Sequence, residues 1–160
     1  MKIDLALREL HRAEKSVLRD LLRLSDRHHA EHEVHHVARD LARWSRDHVR
    51  AIADAGTRYG LRLDADPPDT AGLLAPVRAK LSDMTGRLAG PGVVLLADLR
   101  RLHRKVAGVS LDWELVAQGA QAVADADLLA VTQTCHPQTL RQLTWTNAML
   151  KILSPQVLAS

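Results

Sequence analysis

Ile3-Asp4-Leu5-Ala6-Leu7-Arg8-Glu9-Leu10-His11-Arg12-Ala13-Glu14-Lys15-Ser16-Val17-Leu18-Arg19-Asp20-Leu21-Leu22-Arg23-Leu24 is the stretch that decides the fold. Positions 3, 7, 10, 14, 17, 21, 24 and 28 read Ile, Leu, Leu, Glu, Val, Leu, Leu and His. Every step is three or four residues, so all eight share one face of a helix. The spacing returns at 34, 37, 41, 44, 48, 51 and 55 as Val, Val, Leu, Trp, His, Ala and Ala. Between the two runs, Ser25-Asp26-Arg27-His28-His29-Ala30 offers few apolar anchors and suits a tight connection. The pattern predicts an antiparallel helical hairpin over about 3–27 and 31–58.

Beyond Gly56 and Gly60, Asp64-Ala65-Asp66-Pro67-Pro68-Asp69-Thr70 is the clearest break, because Pro-Pro cannot continue a helix while Asp and Thr cap one. A short helix over about 71–87 follows, ending near Gly86–Gly92; a crossover of that length lets the next long helix run parallel to the second. That third helix carries Leu95, Leu99, Leu102, Val106, Val109, Trp113, Val116, Ala120 and Val123 on one face. Its end has two readings: a stop near Asp125–Asp127, or continuation to Cys135-His136-Pro137. Proline favours a first helical turn, which selects helices over about 92–133 and 137–153. The fourth helix would then bury Leu140, Leu143, Leu150 and Val157, with Asn147 on the same stripe. The whole of residues 1–160 reads as a single all-α domain with no strand-like alternation.

Composition agrees. The 160 residues are 46% hydrophobic but only 2% aromatic, without Phe, so Leu, Ala and Val supply the packing and favour helices. A net charge of +3 is too small to name nucleic acid as a partner. The lone Cys135 excludes an internal disulfide framework and fits a reducing compartment. Neither an N-terminal signal nor an apolar run of about 20 residues is present, so the expected location is the cytoplasm, with no membrane partner.

Two polar residues interrupt the buried stripes. If the first hairpin turns near residues 29–30, Glu14 and His48 lie about one helical turn apart along the bundle and can meet. A buried carboxylate needs a cation, a metal or a hydrogen-bond donor, and His48 could be a charged partner, a neutral donor or a co-ligand. Glu114, beside Trp113, and Asn147 are the candidates from the other two helices. Carboxylates and imidazoles converging in mid-bundle are how helical bundles hold metals; a purely structural polar layer is the alternative.

Asp26-Arg27-His28-His29-Ala30-Glu31-His32-Glu33-Val34-His35-His36 is the densest motif. On a helix, His28, His32 and His35 or His36 align, and Glu33 and His36 have the carboxylate–histidine spacing of di-iron bundles. The segment lies at the hairpin end rather than beside Glu14, so a solvated His-rich turn competes with a metal or pH-sensing site. Arg8, Arg12, Arg19, Arg23 and Arg27 alternate with acids at helix-neighbour spacing, as in Glu9/Arg12 and Asp20/Arg23, which describes a salt-laced solvent face. Arg100-Arg101-Leu102-His103-Arg104-Lys105 is more suggestive of an anionic partner but lacks the aromatic interleaving of single-strand binders. Cys135 beside His136 has no evident third group for nucleophilic catalysis.

Glu9-Leu10-His11-Arg12-Ala13-Glu14-Lys15-Ser16-Val17-Leu18 resembles the opening helix of the bacterial ferritin-like proteins related to YciE and YciF, and Trp113-Glu114-Leu115-Val116-Ala117-Gln118-Gly119 resembles their third helix. Asp47-His48-Val49 falls at the corresponding place on the second helix. The resemblance implies an up-down-down-up four-helix bundle with a long crossover carrying a short extra helix. It also implies carboxylates and histidines around a di-iron centre, a homodimer, and a link to stress. Carried over residue by residue, Glu14, His48 and Glu114 match. Ser45 stands where a carboxylate is expected, and the fourth helix, Thr139-Leu140-Arg141-Gln142-Leu143-Thr144-Trp145-Thr146-Asn147, has none; after Asp127 the chain contains no Asp or Glu. Two irons need about four carboxylates and two histidines. The expectation is therefore a non-enzymatic scaffolding or interaction protein with a reduced site holding no metal or a single divalent ion. The rival is a mononuclear metal-handling protein using Glu14, His48 and Glu114, or the His28, His32, Glu33, His35 and His36 cluster.

Overall fold

The apolar stripe of residues 3–24 forms α1, Ile3–Arg27, in a computed structural model that describes residues 2–66 and 89–160. Three further helices follow: α2 His32–Thr57, α3 Pro91–Ala122 and α4 Ala126–Leu158, with no strand among the described residues. The first hairpin agrees with the sequence pattern to within a residue. The short helix expected over 71–87 lies outside the described residues.

Four contacts orient the bundle. Glu14 meets His48 and Ser25 meets His35, so α1 and α2 are antiparallel. Arg27 meets Asp98 and Glu14 meets Trp113, so α1 and α3 are antiparallel too. Across the bundle, α4 opposes α2 through His48–Gln138 and Arg58–Asp127, and opposes α3 through His103–Thr146 and Ser110–His136. The pairs α1/α4 and α2/α3 sit on the diagonals. The core between them is aliphatic around one aromatic: Leu7, Leu10, Val17, Leu21, Ile52, Leu99, Leu102, Val106 and Leu128 are fully or almost fully buried, and Trp113 is the largest side chain among them. Each such side chain contributes about 1.5–3 kcal/mol by leaving water.

The expected division into helices over 92–133 and 137–153 is corrected. α3 stops at Ala122 and α4 runs unbroken from Ala126 through Pro137. Three residues make the turn. Ala124 adopts a left-handed φ of 56°, the amide of Asp125 returns to the carbonyl of Ala120 at 2.9 Å, and the Asp125 carboxylate accepts the Leu128 amide at 2.9 Å. One residue pair thus closes a helix and caps the next. The end of α2 uses the same device with a glycine: Gly60 has φ 72°, and the Leu61 amide returns to the carbonyl of Gly56 at 3.0 Å. Pro137 is tolerated inside α4 because it lies on the exposed face, where the carbonyl it leaves unpaired can be hydrated. No described helix is long and apolar enough to cross a membrane.

After Gly60 the chain turns back along the first hairpin. Leu61 is buried, the carbonyl of Asp64 lies 2.7 Å from His11 Nε2, and Asp66 pairs with Arg46 and Arg50. These contacts cover the end of α2 that leads to the bundle's central polar layer.

Candidate functional site

Every helix sends one side chain into a polar layer at the middle of the bundle. Glu14 from α1 and His48 from α2 are 0% and 1% exposed, and the His48 Nδ1 lies 2.8 Å from Glu14 Oε1. Trp113 from α3 donates its indole N–H to the same oxygen at 2.9 Å, with its ring edge-on to the imidazole. Gln138 from α4 places its Oε1 2.8 Å from His48 Nε2. Both ring nitrogens of His48 therefore face acceptors, an arrangement that favours the imidazolium, which donates in two directions. Burial alone pushes its pKa down, but the hydrogen bond and charge of Glu14, with help from Gln138 and Asp47, outweigh burial and raise it.

One turn along the bundle a second, uncharged tier continues the layer. Gln142 Nε2 donates to the Leu41 carbonyl at 3.0 Å and to Ser45 Oγ at 2.9 Å, and the buried Thr139 hydroxyl donates to the Cys135 carbonyl. In these two tiers Glu14 Oε2 and Gln142 Oε1 are buried with no hydrogen-bond partner among the described residues.

The structure thus brings Glu14 and His48 together and separates the other two candidates from them. Glu114 is exposed on α3 because its neighbour Trp113 takes the inward position. Asn147 is also exposed, and Leu140 is 45% exposed. The inward positions of α4 are instead Leu128, Thr132, Cys135, Thr139, Gln142, Thr146 and Met149. Periodicity in hydrophobicity found only the border of the buried face of α4, where Leu143 and Leu150 pack half-buried against the core. It missed the centre of that face, because threonine and glutamine occupy the core wherever a carbonyl or hydroxyl of a neighbouring turn receives them. Gln138 and Gln142 were missed for this reason. Ser45 alone carried a signal, as the residue standing where the resemblance expects a carboxylate.

The histidine-rich segment does not act as one cluster. His28 turns inward, 8% exposed, and its Nε2 lies 2.8 Å from Asp98 Oδ2. His35 turns to the Ser25 backbone carbonyl at 2.9 Å, and the exposed His29 to the Asp26 carbonyl at 3.1 Å. His32, Glu33 and His36 remain exposed, the two imidazoles stacked 6.3 Å apart. The basic run divides in the same way. Arg101 pairs with Asp98 and Asp20, and Lys105 with Asp20 and Ser16, while His103 turns to Thr146. Burial opposes ionisation of Asp98, yet His28, Arg27 and Arg101 hold its carboxyl below the usual range. These charges fasten α1 to α3 rather than facing a polyanion. Burial, with the charges of Glu14 and Asp47, pushes the Cys135 thiol up to about 12, and its neighbour His136 points to Ser110. At neutral pH that thiol is inert.

A di-iron centre does not fit these residues. The layer holds one carboxylate and one imidazole, and Trp113, Gln138, Ser45 and Gln142 supply neutral groups where negative charge would be needed. Among the described residues no group of three or more His, Cys, Asp or Glu is placed to hold a metal ion. Comparison with protein-family models, curated proteins and solved structures gives no match.

Proposed function

We propose that this chain is a non-enzymatic, ferritin-like helical bundle, cytoplasmic and stress-associated as its resemblance implies, acting as a scaffolding or interaction protein. In this reading a di-iron layer has been rewritten as a hydrogen-bonded one. The observation that carries it is the pairing inside the layer: Glu14 is balanced by a doubly donating His48, and α3 and α4 contribute Trp113 and Gln138 at the same height. The helix directions supplied by the side-chain contacts, up-down-down-up, support the ferritin-like assignment. A charge-balanced buried pair specifies register without binding anything.

One observation favours a second reading, a single divalent cation in the core: Glu14 Oε2 is buried with no hydrogen-bond partner among the described residues. A metal there would take that oxygen and compete with Gln138 for His48 Nε2. Elemental analysis of protein purified without a histidine tag, with and without replacement of the exposed His29, His32 and His36 by Ala, separates the readings. Metal below about one-tenth of an equivalent, or metal lost with the surface histidines, supports the scaffold. A stoichiometric ion that survives the replacements and disappears in Glu14→Gln overturns it.

A further inference from the structure

α3 carries two seams. One faces the core; on the opposite side Arg100, Arg104, Gly108, Leu111 and Leu115 follow one another at steps of three or four, and Ala97 and Ala122 extend the line. All seven residues are exposed, Leu111 at 57% and Leu115 at 59%. Gly108 leaves a notch in this face, with no atom within 4 Å of where a Cβ would stand. The charges are segregated: arginines at the N-terminal end and Glu114 toward the C-terminal end. Arg101 and Lys105 on the flank are neutralised by Asp98 and Asp20, whereas Arg100, Arg104 and Glu114 have no ion-pair partner among the described residues.

We propose that this seam pairs with itself, α3 lying antiparallel on α3 of a second copy of the chain about a two-fold axis, with each Leu111 seated in the partner's Gly108 notch. In a two-fold contact each pairing occurs twice. If position 111 faces 108, then 115 faces 104 and 122 faces 97. Leu115 packs on the Arg104 stem, alanine meets alanine at both ends, and Glu114 comes beside the partner's Arg104. Charge complementarity selects this register: sliding the helices until Leu111 meets Leu111 leaves Arg104 opposite Gln118 and Glu114 opposite Gly108. The same geometry sets the strength. A single helix pair covers less area than a standard interface, so the dimer forms and dissociates in the micromolar range. The pairing names a partner for the scaffold proposed above; the metal assay tests that scaffold without touching α3, so either can fail alone.

Sedimentation equilibrium over about 1–300 µM reads the association directly. Wild type is expected to shift from monomer to dimer across that range. Glu114→Arg and Arg104→Glu are each expected to weaken the dimer at least about tenfold, and the double exchange to restore it, with helicity unchanged because both positions are exposed. Leu111→Glu is expected to abolish it. A chain that stays monomeric throughout, whether because residues 67–88 or an unlike protein occupies the seam, overturns the proposal. So does a dimer indifferent to these changes, or one that the double exchange fails to restore.

Discussion

The two hairpins of this bundle solve the same packing problem in opposite ways. α1 places eleven charged residues among its twenty-five, nearly all outward, and an aliphatic stripe inward. α4 has three charged residues in thirty-three, Asp127, Arg141 and Lys151, and turns Thr132, Thr139, Gln142 and Thr146 inward while Leu140 and Ile152 face out. In the first hairpin an aliphatic stripe sets which face is inside, with a few paired polar residues such as Glu14 and His48 along it. In the second, hydrogen bonds to neighbouring helices and to the helix's own carbonyls carry part of that decision. A threonine or glutamine whose polar atoms are received is as good a core residue as its volume allows.

The largest test of that contrast lies where the halves meet. Glu14→Leu leaves His48 and Trp113 without their common acceptor, and a loss of about 3–5 kcal/mol is expected in urea unfolding. Adding His48→Leu is expected to recover more than half of it, because no buried charge then remains. If the double variant is no better than the single one, the pair is not what holds the layer.

Next in size is Pro137→Ala. In a helix that began at Pro137 this change would be neutral or harmful. In a continuous α4 it removes an interior proline, and stabilisation by about 2–3 kcal/mol is expected from thermal or urea unfolding.

The buried histidines make a smaller, signed prediction. His48 has a raised pKa, so its contribution to stability is complete below about pH 6.5 and is lost as pH rises through the folded value. His11 is shifted the other way: burial lowers its pKa, only partly offset by the Asp64 carbonyl, so its contribution is present above about pH 6.5 and is lost as pH falls through the folded value. The two oppose each other in one window. NMR titration of the imidazole resonances should find His48 protonated and His11 neutral near pH 6.5. An inverted order would mean that the Glu14 contact is not an ion pair. The smallest effect is expected at the α3–α4 turn: Ala124→Gly relieves a left-handed alanine and should raise stability by about 0.5–1 kcal/mol, or a few degrees in Tm.

Most of the first hairpin was readable as sequence, including the meeting of Glu14 and His48, because facing positions in an antiparallel pair follow from the turn between them. Trp113 was placed on the correct face of α3, and Glu114 was then misassigned to the layer although the same periodicity turns it outward. The break at Ala124 was one of two readings that periodicity left open. It contains no glycine or proline, and its closing bonds involve backbone atoms whose pairing no side chain announces. Pro137, the residue that did look like a boundary, sits on the exposed face, where the helix continues through it at a cost.

Sequence alone determined that this chain forms long amphipathic helices, that the first two pair, and that a fourth helix with no acid beyond Asp127 cannot complete a four-carboxylate centre. Those conclusions need only local spacing and charge. Which face of α4 is buried, and that Trp113 and Gln138 complete the layer with Glu14 and His48, was decided only in the assembled bundle. Polar groups are buried where their partners are, and those partners lie some 35 to 100 residues away in the chain.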